Sequence, residues 1–213
     1  MDGRTIVRLL LCCLAVGLLS AALVAHGNPG NMGICGVCFT RDVAGALGLH
    51  SAKPVQYIRP ELVGIVLGAF VAALMSREFA GRAGSAPLVR FILGMLMAVG
   101  ALVFLGCPIR MLMRLGGGDL NGLTGLAGFV VGVAAAIPAH RMGYTLGTSE
   151  KGGVAIGLIM PIIAVVLLAL AVVRPIVDAK AGGPVFASES GPGSMHAPLW
   201  ISLVAGLAVG WLF

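Results

Sequence analysis

Apolar residues in this chain fall into long runs, and the few charged residues cluster between the runs instead of alternating with them. Six runs read as membrane-spanning helices: Ile6 to Ala25, Glu61 to Met75, Leu88 to Leu105, Leu120 to Pro138, Val154 to Val173 and Leu199 to Phe213. The first follows Arg4 and Arg8 and is 20 residues long. That exceeds the roughly 7–15 apolar residues of a signal peptide, so it reads as a retained helix. The last has 15 residues. As a helix it rises about 22 Å, short of the roughly 30 Å hydrocarbon core.

Two Gly-rich stretches, 28–50 and 106–119, break this pattern. Each is too apolar for a solvent loop yet has no unbroken helical run of the roughly 20 residues that cross a bilayer, and each carries Pro, Gly, a thiol and Arg with Asp. Re-entrant half-helices fit that combination. Irregular backbone at membrane depth is tolerated where protein or a water-lined cavity satisfies its amides, which predicts a shared central pathway.

Composition strengthens the membrane reading: 59% of residues are hydrophobic and 10% charged, against about 25% charged in soluble domains. The 33 glycines show no Gly-X-Y period and point to close helix contacts and broken helices. Gly64/Gly68 and Gly128/Gly132 have the spacing of such contacts. The net charge of +6 comes without any basic run or aromatic-rich basic face, so anions or anionic headgroups, not nucleic acid, are the expected partners. Arg4, Arg8, Arg77, Arg82, Arg90, Arg141 and Lys151 fall on one side of the expected topology, and Lys53, Arg59, Arg174 and Lys180 on the other. This bias favours a cytoplasmic N-terminus, with the loop 174–197 as a flexible outward connection. The whole chain is expected to form one integral membrane domain.

Candidate chemistry sits in the two Gly-rich stretches. Cys35 and Cys38, three apart on a short helix, share a face, and Asp42 lies one turn beyond Cys38, next to Arg41. Four readings of the thiol pair compete: substrate contact, a dithiol redox couple, a metal site, or small buried thiols that pack. The metal reading lacks a second ligand pair at suitable spacing. In the second stretch Pro108 suits a helix first turn and leaves Cys107 at the N-cap, an anion-attracting position. Gly116 to Gly118 end that helix, Asp119 or Asn121 can cap the next, and Arg110 and Arg114 form a positive edge. Arg41, Arg110 and Arg114 are costly in an apolar setting unless paired, headgroup-facing or wet. Asp42 and Asp119 can neutralise two of the three, leaving one positive charge for an anion. Cys12 and Cys13 read as packing residues, and His196 carries no evident role.

Asn28-Pro29, Asn31-Met32-Gly33, Cys35, Cys38, Arg41-Asp42, the segment Ala44 to His50, Arg59-Pro60-Glu61, Gly106-Cys107-Pro108, Arg110 and the segment Gly116 to Asn121 jointly resemble the YeeE/YedE family of sulfur-transport membrane proteins, and within it the selenium-metabolism, YedE-like branch. Members of that family are near twice as long, and the chain resembles their N-terminal half. Ile201 to Gly210 also loosely echoes Val16 to Ala25, as an internal repeat does.

The resemblance implies an all-α polytopic membrane protein of about six transmembrane helices plus two re-entrant Cys-containing half-helices, one half of an inverted-repeat transporter fold. It implies a bacterial inner-membrane location and a cysteine relay for a thiosulfate-like or selenium-containing anion. Cys107 matches one relay cysteine, Cys38 looks like the first-repeat relay cysteine, and Cys35 is an extra thiol. The expected substrate-binding set is Cys35, Cys38, Arg41, Asp42, Cys107, Arg110, Asp119 and Asn121, with no metal or cofactor. Partners would be the bilayer, a second copy or separate second-half subunit, and a cytosolic sulfur or selenium carrier. The alternative is a membrane dithiol redox protein using Cys35 and Cys38.

Overall fold

Among the described residues there are eight α-helices: α1 Gly3–Ala25, α2 Gly36–Ala46, α3 Pro60–Met75, α4 Pro87–Val103, α5 Pro108–Gly116, α6 Asn121–Arg141, α7 Val154–Val173 and α8 Leu199–Leu212. The structure is a computed structural model that describes residues 3–30, 32–104, 106–173, 186, 188 and 190–212. Asn31, Arg174, Lys180 and most of the expected flexible loop 174–197 lie outside the described residues. Among the described residues five stretches have the length and composition to cross a membrane, and α8 is a shorter apolar helix. The chain is an all-α polytopic membrane protein, and each of the six expected runs carries a helix.

Proline sets several boundaries. Pro60, Pro87 and Pro108 occupy the first turns of α3, α4 and α5, where a missing N–H costs nothing and φ is already helical. At the far end of α5, Gly118 takes φ +86°, a left-handed conformation that a side chain would strain, and the chain turns directly into α6.

Contacts divide the chain into two compact units, Met1–Ile34 with Phe39–Phe79 and Ile159–Phe213, and Cys35–Cys38 with Ala80–Leu158. In the first unit α3 lies against α8 with no room for side chains at the crossing. A methyl group built on Gly64 or Gly68 would overlap the Leu203 or Leu207 carbonyl, and one on Gly206 or Gly210 would overlap the Glu61 or Ile65 carbonyl. Paired small residues four apart thus let two backbones meet, as helices do in lipid, where apolar burial alone gives no drive to associate. Around this crossing Val16, Leu23, Ile34, Ala205 and Val209 form one apolar cluster, and Val43, Val63, Ala164, Leu167 and Leu203 another.

The second unit is looser. Helix α4 buries none of its residues, α6 buries Gly122 and α5 buries Met111. Outside the helices, β1 (Arg82–Ala83) pairs antiparallel with β2 (Glu150–Lys151). Arg90 ties the same loops together through the carbonyls of Ser85, at 2.7 Å, and Leu146, at 3.3 Å. Gly128 and Gly132, expected at a close helix contact, face open space instead. The spacing creates a flat face but cannot supply a partner. Cys13 is likewise exposed on α1 and not packed.

Candidate functional site

Two short helices of 11 and 9 residues begin immediately after a cysteine: α2 after Cys35 and α5 after Cys107. A helix N-terminus presents unbonded N–H groups and a partial positive charge, so each thiol stands where an anion is favoured. The second unit brings these two starts together. The Cys107 thiol lies beside the backbone amides of Ile109 and Arg110 on its own helix and of Gly36 at the start of α2. Cys35 lies near both Cys107 and Cys38. Arg110 Nη1 donates to Cys38 Sγ at 3.2 Å. Cys35 and Cys38 are buried, Cys107 is half-buried, and all five cysteines are free thiols.

Cys35, an extra thiol by the family resemblance, thus neighbours both Cys107 and Cys38. Helical spacing alone relates Cys35 to Cys38, whereas the contact with Cys107, 72 positions away in sequence, is tertiary. Among the described residues no group of three or more His, Cys, Asp or Glu is arranged to hold a metal ion.

At the other end of α5, Arg114 Nε donates to Asp119 Oδ2 at 2.7 Å, and Arg114 Nη1 to the Phe104 carbonyl at 3.2 Å. Asp119 Oδ1 accepts the Asn121 amide at 3.0 Å, which caps the start of α6. Arg114 holds the Asp119 carboxyl below the usual carboxylate range. Asp119 and Asn121 thus join α5 to α6, and these contacts account for them structurally.

Arg41 and Asp42 belong to a separate cluster within the first unit. Asp42 Oδ1 accepts Arg41 Nη2 at 2.6 Å and Asp42 Oδ2 accepts Arg59 Nε at 2.8 Å, so one carboxylate serves two guanidiniums. The expectation of one Arg for each Asp fails at Asp42. Arg59, counted from sequence as a loop cation, is fully buried, with Phe39 and Tyr57 ring centroids 4.7 and 4.6 Å from its guanidinium carbon. It therefore drops out of the loop-charge comparison. Two residues on, Glu61 is also fully buried; its Oε1 accepts Asn28 Nδ2 at 2.6 Å and stands 2.9 Å from His196 Nε2.

Arg59, Glu61 and His196 escaped the sequence reading of the site. A usable signal was present for two of them: Arg59 and Glu61 flank the proline that opens a long apolar run, a setting in which charge is costly unless paired. His196 had none, because its partner lies 135 positions away in sequence.

An apolar groove of about 420 Å³ between α1 and α8, lined by Leu19, Leu23, Trp200 and Val204 among others, offers an anion little. The thiol cluster is the better-equipped site. Neither the curated proteins nor the solved structures contain a match to this chain. Residues 4–109, a segment that holds both thiol-bearing helix starts, match the family model described as sulphur transport.

Proposed function

We propose that the chain moves a small sulfur- or selenium-containing anion, thiosulfate-like or a selenium species, across a bacterial inner membrane by passing it along Cys107, Cys35 and Cys38. The observation that supports this reading is the meeting of three thiols and the Arg110 guanidinium at the N-termini of two short helices. An anion stripped of water needs N–H dipoles and positive charge, and both are supplied here. Thiols add weak donors and polarisable sulfur, which hold a soft anion without trapping it. Binding that is weak at several neighbouring points lets an ion enter and leave. The match of residues 4–109 to sulphur transport points the same way. Under this reading α2 and α5 are re-entrant half-helices, and a second copy or a separate subunit completes the path. A cytosolic sulfur or selenium carrier takes the cargo.

The experiment is uptake of radiolabelled thiosulfate and selenite into cells expressing the chain, compared with Cys107→Ala and with Cys12→Ser. Saturable uptake that is lost in Cys107→Ala and kept in Cys12→Ser is the expected result. Equal uptake in all three overturns the thiol path. A second reading, dithiol redox chemistry, draws on the contact of Cys35 with two other thiols. It requires two thiols to give up two electrons and two protons to an oxidant such as a quinone. Titration of free thiols during turnover separates the two, because transport leaves the thiol count unchanged.

A further inference from the structure

Thiol-based transport leaves the buried Glu61–His196 pair without a task, and its stereochemistry is specific. The His196 imidazole stands with Nδ1 2.8 Å from the Ala197 carbonyl oxygen and Nε2 2.9 Å from Glu61 Oε1. A carbonyl oxygen only accepts, so Nδ1 carries a hydrogen. In the neutral ring with its hydrogen on Nδ1, Nε2 is an acceptor 2.9 Å from Oε1, a close approach that one further proton relieves, as imidazolium with carboxylate or as imidazole with carboxylic acid. Glu61 is fully buried and His196 is 10% exposed, so the proton's way in and out is the imidazole.

We propose that Glu61 and His196 form an intramembrane proton-binding site whose loading is coupled to anion movement. The proposal rests on the transport reading above. Glu61 and Arg59 lie inside the Lys53–Met75 span, where an ionisable side chain is expensive and is retained for a reason. Asn28 after α1 donates to Glu61, Tyr57 packs edge-on against the His196 ring, and Arg59 ahead of α3 links the pair to Asp42 and Arg41 on α2. The two guanidiniums balance the two carboxylates, so the cluster is neutral without the shared proton and gains one positive charge with it. In poorly screened surroundings an added positive charge favours the presence of an anion, and by linkage a bound anion favours the proton.

Loss of the proton also has a mechanical consequence. The single ring hydrogen of the neutral imidazole can serve the Ala197 carbonyl or Glu61 Oε1 but not both, so loss of the proton weakens the contact between the lead-in to α8 and the first turn of α3. That contact sits at one end of the α3–α8 crossing, whose glycines leave no slack for a local adjustment.

The test uses the purified full chain in proteoliposomes with the voltage clamped at zero. Thiosulfate uptake is measured with and without an imposed pH gradient, in the wild type, Glu61→Gln and His196→Gln. The expected result is several-fold stimulation of wild-type uptake by the gradient, and loss of that stimulation in both variants while uptake down the anion gradient persists. Stimulation that is unchanged in Glu61→Gln overturns the proposal, as does a wild type that transports without any response to the gradient; the transport reading survives either outcome. Absence of uptake in every protein defeats the transport reading instead. Proton binding is then read directly from the imidazole 15N resonances of His196, identified by their loss in His196→Gln. A titration displaced by Glu61→Gln supports the site, and an unchanged titration overturns it.

Discussion

The two polar clusters of this protein solve the same problem, polarity in an apolar chain, with opposite materials. In the first unit Arg41, Asp42, Arg59, Glu61 and His196 form hard, long-armed contacts between formal charges, with Arg59, Asp42 and Glu61 fully buried. In the second, Cys35, Cys38 and Cys107 meet through short, weakly polar side chains at two helix starts, with Arg110 alongside. Charges of the first kind are each other's solvent and cannot be given up singly. Thiols of the second kind need little solvation, so a passing anion can displace their contacts at small cost. Removing the carboxylate that holds two guanidiniums should therefore unfold the first cluster, whereas removing a thiol should only silence the second.

The sharpest way to break this comparison is Asp42→Ala. It strands two cations, and breaking a buried ion pair from one side costs about 3–5 kcal/mol. A large fall in thermal midpoint in detergent, or loss of a monodisperse species, is expected. A midpoint within a degree or two of wild type would mean that the charges are solvated some other way.

Cys107→Ala tests the other side. The melting midpoint should hardly move, while anion uptake should fall about ten- to hundredfold, as expected when about 1.5–3 kcal/mol of contact to a charged species is removed. Cys35→Ala should match it, because that thiol neighbours both of the others. Normal uptake in Cys35→Ala would restrict the path to Cys107 and Cys38.

Glycines sharpen the contrast between the two units. Gly206→Leu forces the α3 and α8 backbones apart and should cost about 1–3 kcal/mol or more. Gly128→Leu, on an open face, should be close to neutral when melting curves of the two variants are compared. A penalty at Gly128 as large as that at Gly206 would reveal a partner seated on α6.

The smallest expected effect is at Asp119. Its folded pKa is depressed by Arg114, so the stability it contributes is present above the ordinary Asp range and is lost as pH falls through the lowered value. The midpoint difference between wild type and Asp119→Asn should be modest at neutral pH and vanish in acid. A difference that persists in acid would assign the effect to the Asn121 amide contact and not to charge.

Helices were legible because their signals are local. Run length placed five of the six span starts within one residue and the start of the first span three residues late, and Pro108 marked the start of α5. The N-cap position of Cys107 was legible for the same reason. The partner of a small-residue face was not: Gly64/Gly68 and Gly128/Gly132 have identical spacing, yet the first pair meets α8 and the second meets nothing nearby. Nor was the count of buried charge legible from sequence. Arg59 and Glu61 sit at the edge of an apolar run, where sequence cannot separate a residue that reaches for the headgroups from one that turns inward.

What the sequence determined by itself is the class of protein and the chemistry available to it: apolar helices that suit a bilayer, and three thiols set beside arginines in two Gly-rich breaks. Those follow from hydropathy and backbone geometry, which act over a few residues. Tertiary structure decided which of those groups meet: Cys35 with Cys107, Arg59 with Asp42, and Glu61 with His196. Contacts between residues far apart in the chain depend on how helices cross. The crossing is set by complementary small faces and by the need to pair every buried charge, conditions that only the folded chain can satisfy together.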